Sequence, residues 1–209
     1  NDGSKLIYSS EVESDSISLW LKNGFDNKKP KDERLENLSK AYDGLISLQN
    51  DSLRIKDLLL IVDEYYSLKE YLLFNNSNEF IHKIALKAND TISIAEYHWN
   101  KGTILSKNEV LDSAYYHYDK ASFLYRKIGD ELYFAKMEFN KSYVMFRVKN
   151  YVKSEILVIN SIKIYEKHKK NRELYLCYNR LLLLDKEIGN FDDALDHYEK
   201  AKFYLDKID

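Results

Sequence analysis

The sequence predicts an all-α protein made of antiparallel helix hairpins stacked side by side, and three observations carry that reading. Apolar residues recur at steps of three and four along most of the chain, the period of one helix face. Breakers are scarce, with one Pro and six Gly in 209 residues, so long stretches can remain helical. Short polar breaks punctuate these stretches, and the pattern between them repeats. No segment alternates apolar and polar residues in the manner of a strand.

Residues 1–13, NDGSKLIYSSEVE, read as an irregular leader or linker. SDSISLWLKNGF then forms a short helix, capped by Ser14 or Asp15 and stopped by Gly24. Pro30 suits the first turn of the next helix, which places Leu35, Leu38, Tyr42, Leu45 and Leu48 on one face. Beyond it, breaks at 49–52, 87–91, 127–131 and 169–173 separate helix pairs. Shorter breaks at 74–79, 106–110, 148–151 and 188–191 divide each pair. The expected pairs span 14–48, 52–88, 91–128, 131–169 and 172–207, in a single repeat domain over 14–209. Connections this short force consecutive helices into antiparallel hairpins.

The repeat is explicit in LDSAYYHYDKA (111–121), YVKSEILVINS (151–161) and FDDALDHYEKA (191–201). Ala114, Ser154 and Ala194 recur at a constant interval of forty, as do Tyr118, Val158 and Tyr198, and Ala121, Ser161 and Ala201. Continued backwards, Ala121 falls on Ile81 and Ala41. Small residues let a neighbouring helix approach and the large one between them fills the gap. One pair cannot bury this face alone, so neighbours must stack. The tyrosines of the 112–130 helix, Tyr115, Tyr116, Tyr118 and Tyr125, point to different angles, as expected of a helix packed on two sides.

GNFDDALDHYEKAKFYLDK (189–207), with Ala194, Tyr198 and Ala201, and Gly102 twelve residues before Ala114, resemble the tetratricopeptide repeat family. The period of forty exceeds the usual ~34, the family's late proline is missing, and Ser142 and Leu182 stand where its glycine is expected. The resemblance implies a right-handed α–α superhelix whose first helices line a concave groove. Carried over by position, the groove candidates are Glu96, Trp99, Asn100, Lys136, Phe139, Asn140, Tyr143, Arg147 and Arg180, joined by Thr103, Phe146, Leu176, Asn179 and Leu183. Asn140 and Arg180 match two positions of the family's carboxylate clamp. Trp99, Thr103 and Leu176 replace the rest, so the clamp itself is not implied. The order of segments from DSISLWL to YNRLLLLDKEIGNFDDAL also resembles the N-terminal repeats of Bacteroidetes sensor histidine kinases and membrane-anchored helix-turn-helix regulators. That resemblance implies an extracytoplasmic sensor in a signal-transduction protein, with a kinase or DNA-binding output domain elsewhere in the full-length protein.

Composition narrows the function classes. The net charge of −2 with both signs interspersed disfavours a nucleic-acid groove or a polybasic membrane patch. The longest apolar run, LLLIV at 58–62, is far short of the ~20 residues of a membrane span. A single cysteine, Cys177, leaves no disulfide framework and reads as a packing residue. No phosphate-binding glycine loop, HExxH, GxSxG or CxxC occurs. Asp193 and His197 share a helix face and read as a surface pair, and His98 beside Trp99 reads as a packing residue. The expectation is therefore a non-enzymatic binding domain without cofactor or metal, taking a protein or peptide in the groove. Alternatives are a structural adaptor and a cytoplasmic peptide-pheromone receptor of the same repeat class. The chain begins with Asn, as expected for a processed or excised piece. The stripe Phe191, Ala194, Leu195, Tyr198, Ala201 and Leu205 predicts further helix beyond Asp209 or a homodimer contact through the C-terminal helices.

Overall fold

The computed structural model describes residues 15–48 and 51–208; the expected leader at 1–13 lies outside them. The helices are α1 (15–24), α2 (Lys31–Ser47), α3 (Asp51–Ser67), α4 (Tyr71–Ala88), α5 (Thr91–Lys107), α6 (Leu111–Lys127), α7 (Glu131–Arg147), α8 (Tyr151–Lys167), α9 (Asn171–Ile188) and α10 (Phe191–Leu205). Among the described residues there is no strand. The chain forms two compact units, Asn1–Ser93 and Ile94–Asp209, divided in the first turn of α5.

One turn geometry recurs from α3 to α10. Lys69, Asn89, Glu109, Gly129, Lys149, Lys169 and Gly189 all have positive φ, and the interval between successive members is constant at twenty. The amide of the residue following each one donates to the carbonyl five residues back. The series begins with Glu70 to Tyr65, Asp90 to Ala85 and Val110 to Leu105. It continues with Asp130 to Tyr125, Asn150 to Met145, Lys170 to Tyr165 and Asn190 to Asp185, all at 2.8–2.9 Å. This is the Schellman arrangement, in which a left-handed residue satisfies the last carbonyls of the helix. The residue after it starts the next helix, and the Asp130 and Asn150 side chains accept from the Tyr133 and Lys153 amides. The unit of structure is thus one helix with its turn, and the sequence period is two of them.

The regularity corrects one boundary. Residues 74–79, expected as a break, lie inside α4, and the turn sits at Lys69. Phe74, Ser77, Asn78, Ile81, Ile84 and Ala85 form one continuous buried stripe of that helix. Its polar members are carried on a packing face, and no left-handed residue interrupts it. Pro30 is the N-cap of α2 rather than a residue of its first turn.

In the first unit α2 packs on α3 and α3 on α4. Leu38, Ala41 and Leu45 of α2 and Leu58, Ile61, Val62 and Tyr65 of α3 are buried. The Arg34 guanidinium, also buried, donates to Gly24 O at 3.0 Å and pairs with Glu64.

In the second unit the small-residue stripes lie where helices approach closely. The Ser154 hydroxyl on α8 donates to Ser142 O on α7 at 2.7 Å, and that of Ser161 donates to Ala135 O at 3.0 Å. On α5 and α6 the partners are unequal in size: a Cβ on Gly102 would lie 2.7 Å from the Tyr118 ring. One period later, Ser142 and Val158 hold the corresponding sequence positions; at the third these are Leu182 and Tyr198, the latter half exposed. A buried polar cluster ties α6 to α7. Ser122 Oγ donates to Glu138 at 2.8 Å, and Lys141 Nζ lies 2.6 Å from Glu138 and 2.9 Å from Asp119. Burial would lower the Lys141 pKa, but the two carboxylates outweigh it and hold it above the ordinary value.

Tyr118 and Tyr125 are buried, Tyr115 is half-buried and Tyr116 is exposed. On α10, Ala194 and Ala201 face the core, whereas Phe191, Leu195, Tyr198 and Leu205 are exposed.

The turns and the close approach of α5 to α6 are open to direct test. Lys149→Gly and Lys169→Gly should each raise stability by about 1 kcal/mol in urea denaturation, because glycine removes the left-handed penalty; Gly129→Ala should lower it by a similar amount. Gly102→Ala should destabilise by about 1–2 kcal/mol, the clash with Tyr118 outweighing the helix-propensity gain. In a Tyr118→Val background the same change should become stabilising.

Candidate functional site

A cleft of the second unit lies between α7 and α9, the first helices of adjacent pairs, and encloses about 470 Å³. Leu132, Tyr133, Lys136, Phe139 and Asn140 come from α7, Tyr165 from the end of α8, and Lys170, Arg172, Glu173 and Leu176 from the start of α9. The hairpin turn at Lys169 sets α9 down beside α7, with α8 beneath both. The volume lies in the range of small-ligand and side-chain pockets.

Of the residues expected in a groove, Lys136, Phe139 and Asn140 line this cleft, together with Leu176. Trp99 is one step removed, with the Lys136 ammonium 3.9 Å from its ring centroid and Tyr133 edge-on to it. Glu96 accepts a hydrogen bond from Tyr125 Oη at 2.7 Å. Burial, and then the Glu96 charge, push the Tyr125 phenol well above its ordinary pKa. Asn100, on α5, is buried. Thr103 turns its hydroxyl to Trp99 O.

Arg180 serves a purpose its position in the sequence does not disclose. Its guanidinium lies 5.0 Å from the Tyr143 ring centroid, 5.6 Å from that of Phe139 and 5.4 Å from that of Phe146. Its Nε is buried with no hydrogen-bond partner, and burial pushes its pKa below the ordinary value, with Tyr143 opposing. The side chain therefore acts as a cationic spacer between α9 and three rings of α7. Arg147 is bound at both sides, to Tyr143 Oη at 2.8 Å and to Glu109 at 2.7 Å. Asn140 and Arg180 are thus unlike in kind: the first borders the cleft, the second packs beside it.

Leu132, Tyr133, Tyr165, Lys170, Arg172 and Glu173 escaped sequence reasoning. They come from helix ends and a turn, which the resemblance does not place in the groove. The signal available was the KKNRE run at 169–173, which read as a polar break.

Other polar groups lie away from the cleft. His197, expected to face Asp193, instead has Nδ1 2.6 Å from the buried Asp185 carboxylate on α9, while Asp193 bonds Asn190. His98 and His117 bring their Nδ1 atoms within 3.0 Å of each other. Cys177 is buried, and burial pushes its thiol upward. Among the described residues no group of three or more His, Cys, Asp and Glu side chains could hold a metal ion, and no helix is long and apolar enough to cross a membrane.

No family model and no curated protein matches this sequence. Solved structures do resemble it. Aspartyl phosphate phosphatase F from Bacillus subtilis superposes with a TM-score of 0.86 at 14% identity, over 94% of this chain and 52% of its own. The apo form of RapI gives a TM-score of 0.79 at 17% identity, over 91% of this chain and 70% of that one. MamA gives 0.62 at 17% identity, over 93% and 94%. The chain spans about half the length of aspartyl phosphate phosphatase F. The shared element is the fold: an all-helical, tetratricopeptide-like solenoid.

The spacer role of Arg180 can be separated from a donor role by substitution. Arg180→Ala should cost about 1–3 kcal/mol in urea denaturation through lost packing, whereas Arg180→Met, which keeps the volume and removes the unbonded buried Nε, should cost less than about 1 kcal/mol.

Proposed function

We propose that this chain is a protein- or peptide-binding helical-repeat domain, the input region of a bacterial signal-transduction protein, and that its ligand enters the cleft between α7 and α9. The observation carrying this reading is the cleft itself. Its walls are apolar and aromatic (Leu132, Phe139, Tyr165, Leu176), and a few polar groups converge on it (Lys136, Asn140, Lys170, Arg172, Glu173). That combination suits an extended segment that anchors side chains in a groove. An extracytoplasmic location on a membrane-anchored protein, with an output domain in the same polypeptide, belongs to the proposal and rests on the resemblance of segment order.

A peptide-pheromone receptor is the second reading. It draws support from a neighbour solved as a Rap protein complexed with Competence and Sporulation Factor, which has a TM-score of 0.76 at 15% identity over 90% of this chain. Both readings predict a peptide in the cleft and differ in compartment, which signal-sequence mapping and fractionation of the full-length protein would separate.

Trp99 offers a reporter, since Lys136 joins its ring to the cleft. In a Trp20→Phe variant the remaining tryptophan should change emission when a peptide selected from a random heptapeptide phage library is titrated in. Leu176→Trp, read by fluorescence anisotropy of the labelled peptide, should fill the cleft and weaken binding at least about tenfold. Equal affinity for the Leu176→Trp variant would place binding elsewhere on the chain.

A further inference from the structure

Charge around the cleft is opposite in sign to the chain as a whole. The protein carries a net charge of −2, yet the cleft lining holds Lys136, Lys170 and Arg172 against Glu173 alone. Lys136 is drawn to the Trp99 ring. Neither Lys170 nor Arg172 has a side-chain ion pair or hydrogen bond among the described residues. Several other cations are already engaged: Lys141 with Glu138 and Asp119, Arg147 with Glu109, Lys167 with Glu131, and Arg34 with Glu64. Two unmatched cations at the mouth of this cleft, above the apolar walls of Leu132, Phe139 and Leu176, form a composite surface: apolar below, positive at one rim.

From this geometry we infer that the ligand of the cleft is a peptide segment in which an Asp or Glu lies next to a bulky apolar residue, the apolar side chain seated between α7 and α9 and the carboxylate meeting Lys170 and Arg172. The inference rests on the reading of the cleft as the binding site. The aromatic and aliphatic walls require the apolar residue, because a purely polar acidic segment would leave them wet. Lys170 and Arg172 supply the partner for one carboxylate, and Glu173 beside them repels a run of several. The local excess of cations in the cleft lining also attracts such a segment to this face.

The test is selection from the random heptapeptide phage library against the wild-type chain and against a Lys170→Glu/Arg172→Glu variant. Both side chains are exposed at the start of α9, and a circular dichroism melt confirms that the variant folds. Wild type should enrich peptides pairing Asp or Glu with Phe, Leu or Trp. Binding of a synthetic winner should fall at least about tenfold in the charge-reversed variant and should weaken as sodium chloride is raised. The variant's own selection should turn to Lys or Arg beside the same apolar residues. Enrichment without acidic residues, or winners that bind the charge-reversed variant unchanged while still failing on Leu176→Trp, would overturn the acidic–apolar assignment and leave the cleft standing. Winners indifferent to Leu176→Trp, or no enrichment at all, would overturn the cleft reading and this inference with it.

Discussion

The structure from α3 to α10 depends on one backbone hydrogen bond, repeated at every turn, from the amide after a left-handed residue to the carbonyl five positions earlier. It ends a helix, reverses the chain and begins the next helix almost at once. The same hydrogen bond therefore closes each of these helices, and the positions of the small buried residues recur with it in the second unit. Gly129 and Gly189 adopt this conformation freely and Asn89 tolerates it; Lys69, Glu109, Lys149 and Lys169 adopt it at the expense of backbone strain. That the turn persists without glycine shows how strongly packing on either side dictates it. Hydrophobic contact between helices supplies the stabilisation, and the turn supplies the register.

That register explains what could be read from the sequence. Ala114, Ser154 and Ala194, and Ala121, Ser161 and Ala201, stood out because close helix approach imposes small residues at fixed places, and all six are buried. The helix pairs from α5 onward followed from the same repetition. The break misplaced at 74–79 shows the limit. Asn75, Asn76, Ser77 and Asn78 look like a loop by composition, while the true turn at Leu68, Lys69 and Glu70 carries none of the usual turn residues. A left-handed lysine leaves no mark in a propensity reading.

The site was legible in part for related reasons. Lys136, Phe139 and Asn140 sit at repeat positions on α7 and could be placed by periodicity. Lys170 and Arg172 sit at a turn, and that they line the cleft without a carboxylate partner among the described residues is disclosed only in three dimensions. Arg180 went the other way: its position suggested a donor, while its surroundings of Phe139, Tyr143 and Phe146 make it a spacer. His197 likewise looked across its own helix to Asp193 and found Asp185 on another.

Because the repeating element is a single helix and its turn, the architecture has a parity that the longer sequence period conceals. Odd and even elements share one backbone plan but present different partners: Gly102 and Ser142 belong to one class, Tyr118 and Val158 to the other. Removing a whole hairpin would bring matched faces together at the splice. Removing one helix with its turn would leave every remaining turn intact and still set small residues against small and rings against rings. Growth and loss in such a chain are therefore quantised by side-chain complementarity in steps twice as long as those the backbone itself would permit.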